Sequence, residues 1–158
     1  MFTTPVKRLA RFVLVAGLLT AAYGVPAQDE AQQPSLYDRL GGLMPISVVV
    51  SDFIDVVVAD DSLNQNPAVD AARQVVPAAY LKYQVTAQVC QATGGPCQYQ
   101  GRDMKSAHAH LGITPGEWER MLVLFAQVLD KHQVPEAEQG ELVAIVESTR
   151  ADIVTRSE

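Results

Sequence analysis

Three histidines and two cysteines are the residues of this 158-residue sequence best suited to holding a metal or passing electrons. His108 and His110 stand two apart, about 200° around a helix, so they cannot grip one metal from a single face. His132 lies in the string DKHQVP at the end of a helical stretch. A polar or positive group suits the negative end of the dipole there, and His132 reads as a surface residue. Around His108, Met104 and Leu111 complete an i, i+4, i+7 stripe that leaves Lys105 and His110 outside it. His108 is therefore the inward histidine. A buried imidazole needs partners for its nitrogens; a hydrogen-bonded core is one solution and a metal is another.

Cys90 and Cys97 enclose the string QATGGP. In an exported chain such a pair can be oxidised; two reduced thiols at a helix end is the other reading. There is no C-x-x-C-H for covalent haem attachment and no C-x-x-C for zinc or thiol redox chemistry. G-x-S-x-G, a phosphate loop and H-E-x-x-H are also missing, so nucleophilic, nucleotide and metalloprotease chemistry find no support.

The elements that must position His108 read as helices. Ser35 opens SLYDRL, which Gly41-Gly42 stops. Pro45 suits the first position of the next helix, whose Ile46, Val49, Val50, Phe53, Ile54 and Val57 form one apolar face. A turn at 68–73 precedes a helix from Pro77 to Ala92 with Leu81, Val85 and Val89 inward, ended by Gly94-Gly95-Pro96. A short helix runs from Asp103 to about Leu111. Thr114-Pro115-Gly116-Glu117 is a capping box for a helix presenting Trp118, Met121, Leu122, Phe125, Val128 and Leu129. Pro135-Glu136 starts the last helix. No strand signal competes, and the fold class is all-α.

The first 27 residues have the order of a secretory signal: Lys7, Arg8 and Arg11, then thirteen uncharged residues from Phe12 to Gly24, then Val25 and Ala27 before the polar Gln28-Asp29-Glu30. Thirteen helical residues span roughly 20 Å, short of a hydrocarbon core of about 30 Å. The expectation is a signal peptide at 1–27, a polar linker at 28–34 and one domain at 35–158, located in the periplasm or secreted, with no stable membrane insertion after cleavage. Cleavage would leave nine basic against eighteen acidic residues. That balance makes nucleic acid a poor partner.

A haem iron needs one protein ligand, because the porphyrin supplies four, and it needs a large apolar slot. The helical stripes could build one. The strings SLYDRLGG at 35–42, ADDSLN at 59–64, TGGPCQYQGRDMKSAHAHLGIT at 93–114 and VPEAEQGELVAIV at 134–146 resemble a truncated haemoglobin of group 1. The resemblance implies a two-over-two globin fold around haem b (iron protoporphyrin IX), with His108 as the iron ligand. It places Met104, Ile113, Trp118, Phe125 and Phe53 along the porphyrin, and Ile54, Leu81 and Val85 on the gas side.

The departures carry expectations of their own. The family often has a tyrosine where Ile54 stands, and it donates a hydrogen bond to bound O2. The phenylalanine that wedges the haem is replaced by Asn66-Pro67, with Val69 nearby. A slip of one residue would bring Gln84 to the iron in place of Val85. The implied ligands are O2, NO or CO, and oxygen carriage or NO detoxification is the implied role. NO conversion to nitrate or a peroxidase activity would need a reductase that the sequence does not identify. The alternative is a globin-shaped binding or structural module without haem.

Overall fold

The computed structural model describes residues 33–157. The signal segment and residues 28–32 of the linker lie outside the described residues, and Gln33 and Pro34 are exposed. The helices are α1 (Leu36–Arg39), α2 (Leu43–Ala59), α3 (Pro67–Val75), α4 (Ala78–Ala92), α5 (Met104–His108), α6 (Pro115–Lys131), α7 (Glu136–Glu147) and α8 (Arg150–Ile153), with a 3₁₀ turn at Leu63–Gln65. Among the described residues the only extended pairing is an isolated bridge between Ile113 and Val154. The all-α expectation holds.

Local chemistry explains most boundaries. Ser35 accepts from the Asp38 amide while Asp38 reaches back to Ser35, a closed capping box for α1. Thr114 and Glu117 do the same for α6. Helix α2 starts at Leu43, two residues before Pro45. Gly41 and Gly42, both at φ +84°, complete the reversal early, and the Leu43 amide finds the Tyr37 hydroxyl at 3.1 Å. Where a turn was expected at 68–73, Asn66 caps a nine-residue helix. Helix α8 had no counterpart in the sequence reading.

Two apolar clusters share α2. Ile46, Val50 and Ile54 are buried, with Leu81, Val85 and Val89 of α4 packed against them. Leu36, Phe125, Leu129 and Leu142 form the second cluster, reached from α2 by Val49 and Phe53. The Phe53 and Phe125 rings meet edge to face, centroids 5.0 Å apart, a geometry worth about 0.5–1.5 kcal/mol beyond the area it buries. Complete burial of Leu129 contributes roughly 1.5–3 kcal/mol more.

The far end of α4 is tied down by several contacts. The Tyr37 amide donates to the Thr93 carbonyl at 2.9 Å, and Gly94 takes a φ of +89°. Cys90 and Cys97 are joined, Cα atoms 5.7 Å apart, an ordinary span for a disulfide. The oxidised reading of the cysteine pair is the one adopted.

Candidate functional site

His108 is the last residue of α5, a helix started by Asp103, whose side chain accepts from the Ser106 amide. The ring is half-buried, and its Nδ1 lies 2.9 Å from the Met104 carbonyl oxygen. A carbonyl only accepts, so Nδ1 must carry the proton in this contact. In the neutral ring Nε2 then keeps its lone pair, the arrangement seen when an imidazole serves a metal from one side and is oriented from the other. His110 is exposed.

His132 departs from the surface reading. It caps the end of α6, its side chain is 22 % exposed, and Nε2 lies 2.7 Å from Asp52 Oδ2, which Lys131 also reaches at 2.7 Å. Lys131 first, and His132 after it, hold the Asp52 carboxyl below the usual range. Among the described residues no three histidine, cysteine or acidic side chains cluster as a metal cage. Any metal bound through His108 must bring most of its own donors.

The apolar candidates fall into groups. Phe53, Ile54, Leu81 and Val85 belong to one cluster between α2 and α4, and Phe125 joins it through Phe53. Met104 and His108 form a second group on α5. Ile113 lies in the corner after α5, where its carbonyl accepts from the Thr155 amide at 3.0 Å. Trp118 is 2 % exposed, and its indole N–H points to Glu147 at 3.4 Å.

The residues suit a flat apolar group held by one nitrogen. Helix α4 packs closely on α2 and α5 on α8, whereas α4 and α5 make no comparable contact. Cys90 is the only fully buried residue of α4, so Leu81 and Val85 keep apolar surface uncovered. Gln84 Oε1 is buried without a hydrogen-bond partner. An unpaired buried acceptor costs on the order of 1–3 kcal/mol, so it marks a place where something polar is missing. A cavity of about 370 Å3 between α2, α6 and α7 is a separate space. Phe125 and Leu129 line it, but His108, Met104, Ile54, Leu81 and Val85 do not.

Relatives agree with this architecture. The sequence pattern of the family described as bacterial-like globin matches residues 35–155. The chain belongs to that family. It is 30% identical over 117 residues to the group 1 truncated hemoglobin GlbN of Synechocystis sp., covering 70% of this chain and 88% of the relative. With GlbN of Mycolicibacterium paratuberculosis it shares 29% over 126 residues, 80% of this chain and 88% of that one. The 2/2 hemoglobin of Synechococcus sp. PCC 7002, solved in the cyanomet state with covalently attached heme, superposes with a TM-score of 0.68 at 26% identity. The alignment covers 78% of this chain and all of that one. This bacterial-like globin is thus a group 1 truncated haemoglobin, and haem-based gas binding comes with the family.

Sequence reasoning missed the polar frame of the globin's site. Asn66, noted only as replacing a wedge phenylalanine, is 6 % exposed and donates to the Leu111 carbonyl at 3.0 Å, just past His108. Tyr99 folds over Gly101 and donates to the Arg102 carbonyl at 2.8 Å. Burial pushes its phenol up, with Tyr80 adding to the effect. The available signal for the first was its place directly before Pro67, the order of a helix cap followed by a first-turn proline. The second had none.

Proposed function

We propose that this globin holds haem b through His108 Nε2 and binds O2, NO or CO with rapid exchange. The observation that carries the reading is the His108 Nδ1 contact to the Met104 carbonyl, which fixes the proton away from Nε2. When bound, the haem supplies an open coordination position for a diatomic gas. The protein's part is to grip from below, exclude water and set the polarity above. Ile54, Leu81 and Val85 offer no hydrogen-bond donor, so a gas that gains negative charge on binding is held weakly. Both cysteines are spent on each other, which favours a haem retained without thioether bonds.

Family membership supports haem and gas; the choice of gas and any turnover with a reductase go beyond it. Export is part of the proposal, supported by the basic start and apolar run of residues 1–27. Among the described residues no helix is long and apolar enough to cross a membrane. The test is an absorbance spectrum. Purified protein given hemin should show a Soret band that His108→Ala abolishes or shifts and that added imidazole restores. A protein that stays colourless with hemin overturns the reading and leaves a haem-free globin module. Acid extraction should release the haem, and the mass of the exported chain should begin near Gln28.

A further inference from the structure

We propose that the Cys90–Cys97 disulfide is a redox-operated clasp on the segment that carries His108. Cys90 lies in the last turn of α4 and is completely buried, while Cys97 sits half-buried in the loop leading to α5. From Gly95 to Asp103 the chain has no regular structure. Beyond the disulfide, this stretch is anchored by the Gly95 amide on the Cys90 carbonyl at 2.8 Å and the Tyr99 amide on Gln91 Oε1 at 2.8 Å. The next element, α5, is five residues long and buries none of them completely. A helix that short does not hold itself in water, so its position depends on its neighbours and on the loop in front of it.

The bond thus joins α4, the helix of Leu81 and Val85, to the strap that leads into α5 and His108. Opening it leaves Pro96-Cys97-Gln98 without a cross-link, held near α4 by those two hydrogen bonds alone, and lets the strap move away. The burial of Cys90 makes the chemistry directional. A dithiol reductant attacks, as thiolate, the sulfur of Cys97, the less buried of the two residues, and a mixed disulfide forms as the Cys90 thiolate leaves and takes up a proton. The second thiol of the reductant then closes on the first, releasing Cys97 as a thiol. Two electrons and two protons pass to the protein, and the reductant ends as a disulfide. An oxidising compartment keeps the clasp shut, and a reducing one opens it.

The functional consequence rests on the haem reading, but the clasp can be tested without it. Hydrogen exchange of the haem-free full chain is measured oxidised, after dithiothreitol, and as the Cys90→Ser/Cys97→Ser double variant, with far-UV circular dichroism confirming retained helix. Amides of residues 97–110 should exchange about tenfold faster or more when the bond is open, while those of α2 and α6 hold their rates. Unchanged exchange in 97–110 in both open forms overturns the clasp. With hemin added, loss of haem to an excess of apomyoglobin should be about tenfold faster in the open forms. A chain that takes up no hemin removes the haem reading and leaves the exchange result standing.

Discussion

The Asn66 side-chain amide donates to the Leu111 carbonyl at 3.0 Å while its Oδ1 accepts from the Ala68 amide at 3.0 Å. One side chain therefore starts α3 and fixes the corner that follows His108. Removing it in Asn66→Ala loses a helix cap, about 1 kcal/mol, and leaves a carbonyl unpaired, about 1–3 kcal/mol. Urea unfolding should show a stability loss of roughly 2–4 kcal/mol. Asn66→Asp keeps the cap but cannot donate when ionised, and should recover only the smaller part. Equal losses in both variants would place the whole effect in the Leu111 bond.

Two glycines give opposite predictions. A Cβ on Gly95 would run into the Tyr37 ring and come within 2.8 Å of the Cys90 carbonyl oxygen. Gly95→Ala should cost about 1–3 kcal/mol, because neither neighbour can yield without shifting α1 or the end of α4. Gly140 lies inside α7 with nothing within 4 Å of an added Cβ. Gly140→Ala should stabilise by about 0.5–1 kcal/mol through helix propensity and lost unfolded-state freedom. Thermal unfolding separates the two, and a destabilised Gly140→Ala would show that α7 needs its glycine for another reason.

Helices with an apolar period were legible because burial of one face and backbone repeat coincide: Ile46, Val50 and Ile54 are buried as their spacing predicts. The α6 boundary was legible because Thr114 and Glu117 close a local hydrogen-bond circuit. Helix α8 was not, since four residues carry no period. His132 was misjudged for a related reason. Its environment is set by Asp52, eighty residues earlier, and no local pattern reports a partner that distant. The His108 contact to Met104 was foreshadowed by their i, i+4 spacing, although the proton's place on Nδ1 required the carbonyl to be located.

Arg120 makes the acid limb of stability predictable. Its guanidinium reaches Asp60 Oδ2 at 2.6 and 3.1 Å, and this hydrogen bonding, above the smaller help from the Leu63 amide, holds the Asp60 carboxyl below its ordinary value of 3.8. The unfolded chain therefore takes up this proton at higher pH than the folded one. The contribution is fully present above the ordinary carboxylate range and is lost as pH falls through the lowered value. Asp60→Asn should be less stable than the parent at neutral pH and should lose less on acidification below about pH 4. Urea midpoints from neutral pH downward check this. Parallel curves would assign the acid limb to other carboxylates.

Polarity on the gas side can be added where Ile54, Leu81 and Val85 meet. Leu81 and Val85 are half-buried one helical turn apart and pack on the cluster that contains the buried Ile54. Leu81→Gln or Val85→Gln places an amide N–H on that face without demanding much extra volume. One such hydrogen bond is worth on the order of 1–3 kcal/mol, so stopped-flow measurement should find O2 release slowed roughly 10–100-fold. CO, which gains less charge on binding, should change far less, and this contrast separates a hydrogen bond from a simple steric gate. If both gases slow equally, the new side chains act as obstacles. If neither gas changes in either variant, these positions do not face the bound gas. Gln84, one residue from Val85 and with its Oε1 unpartnered, is then the polar residue to substitute next.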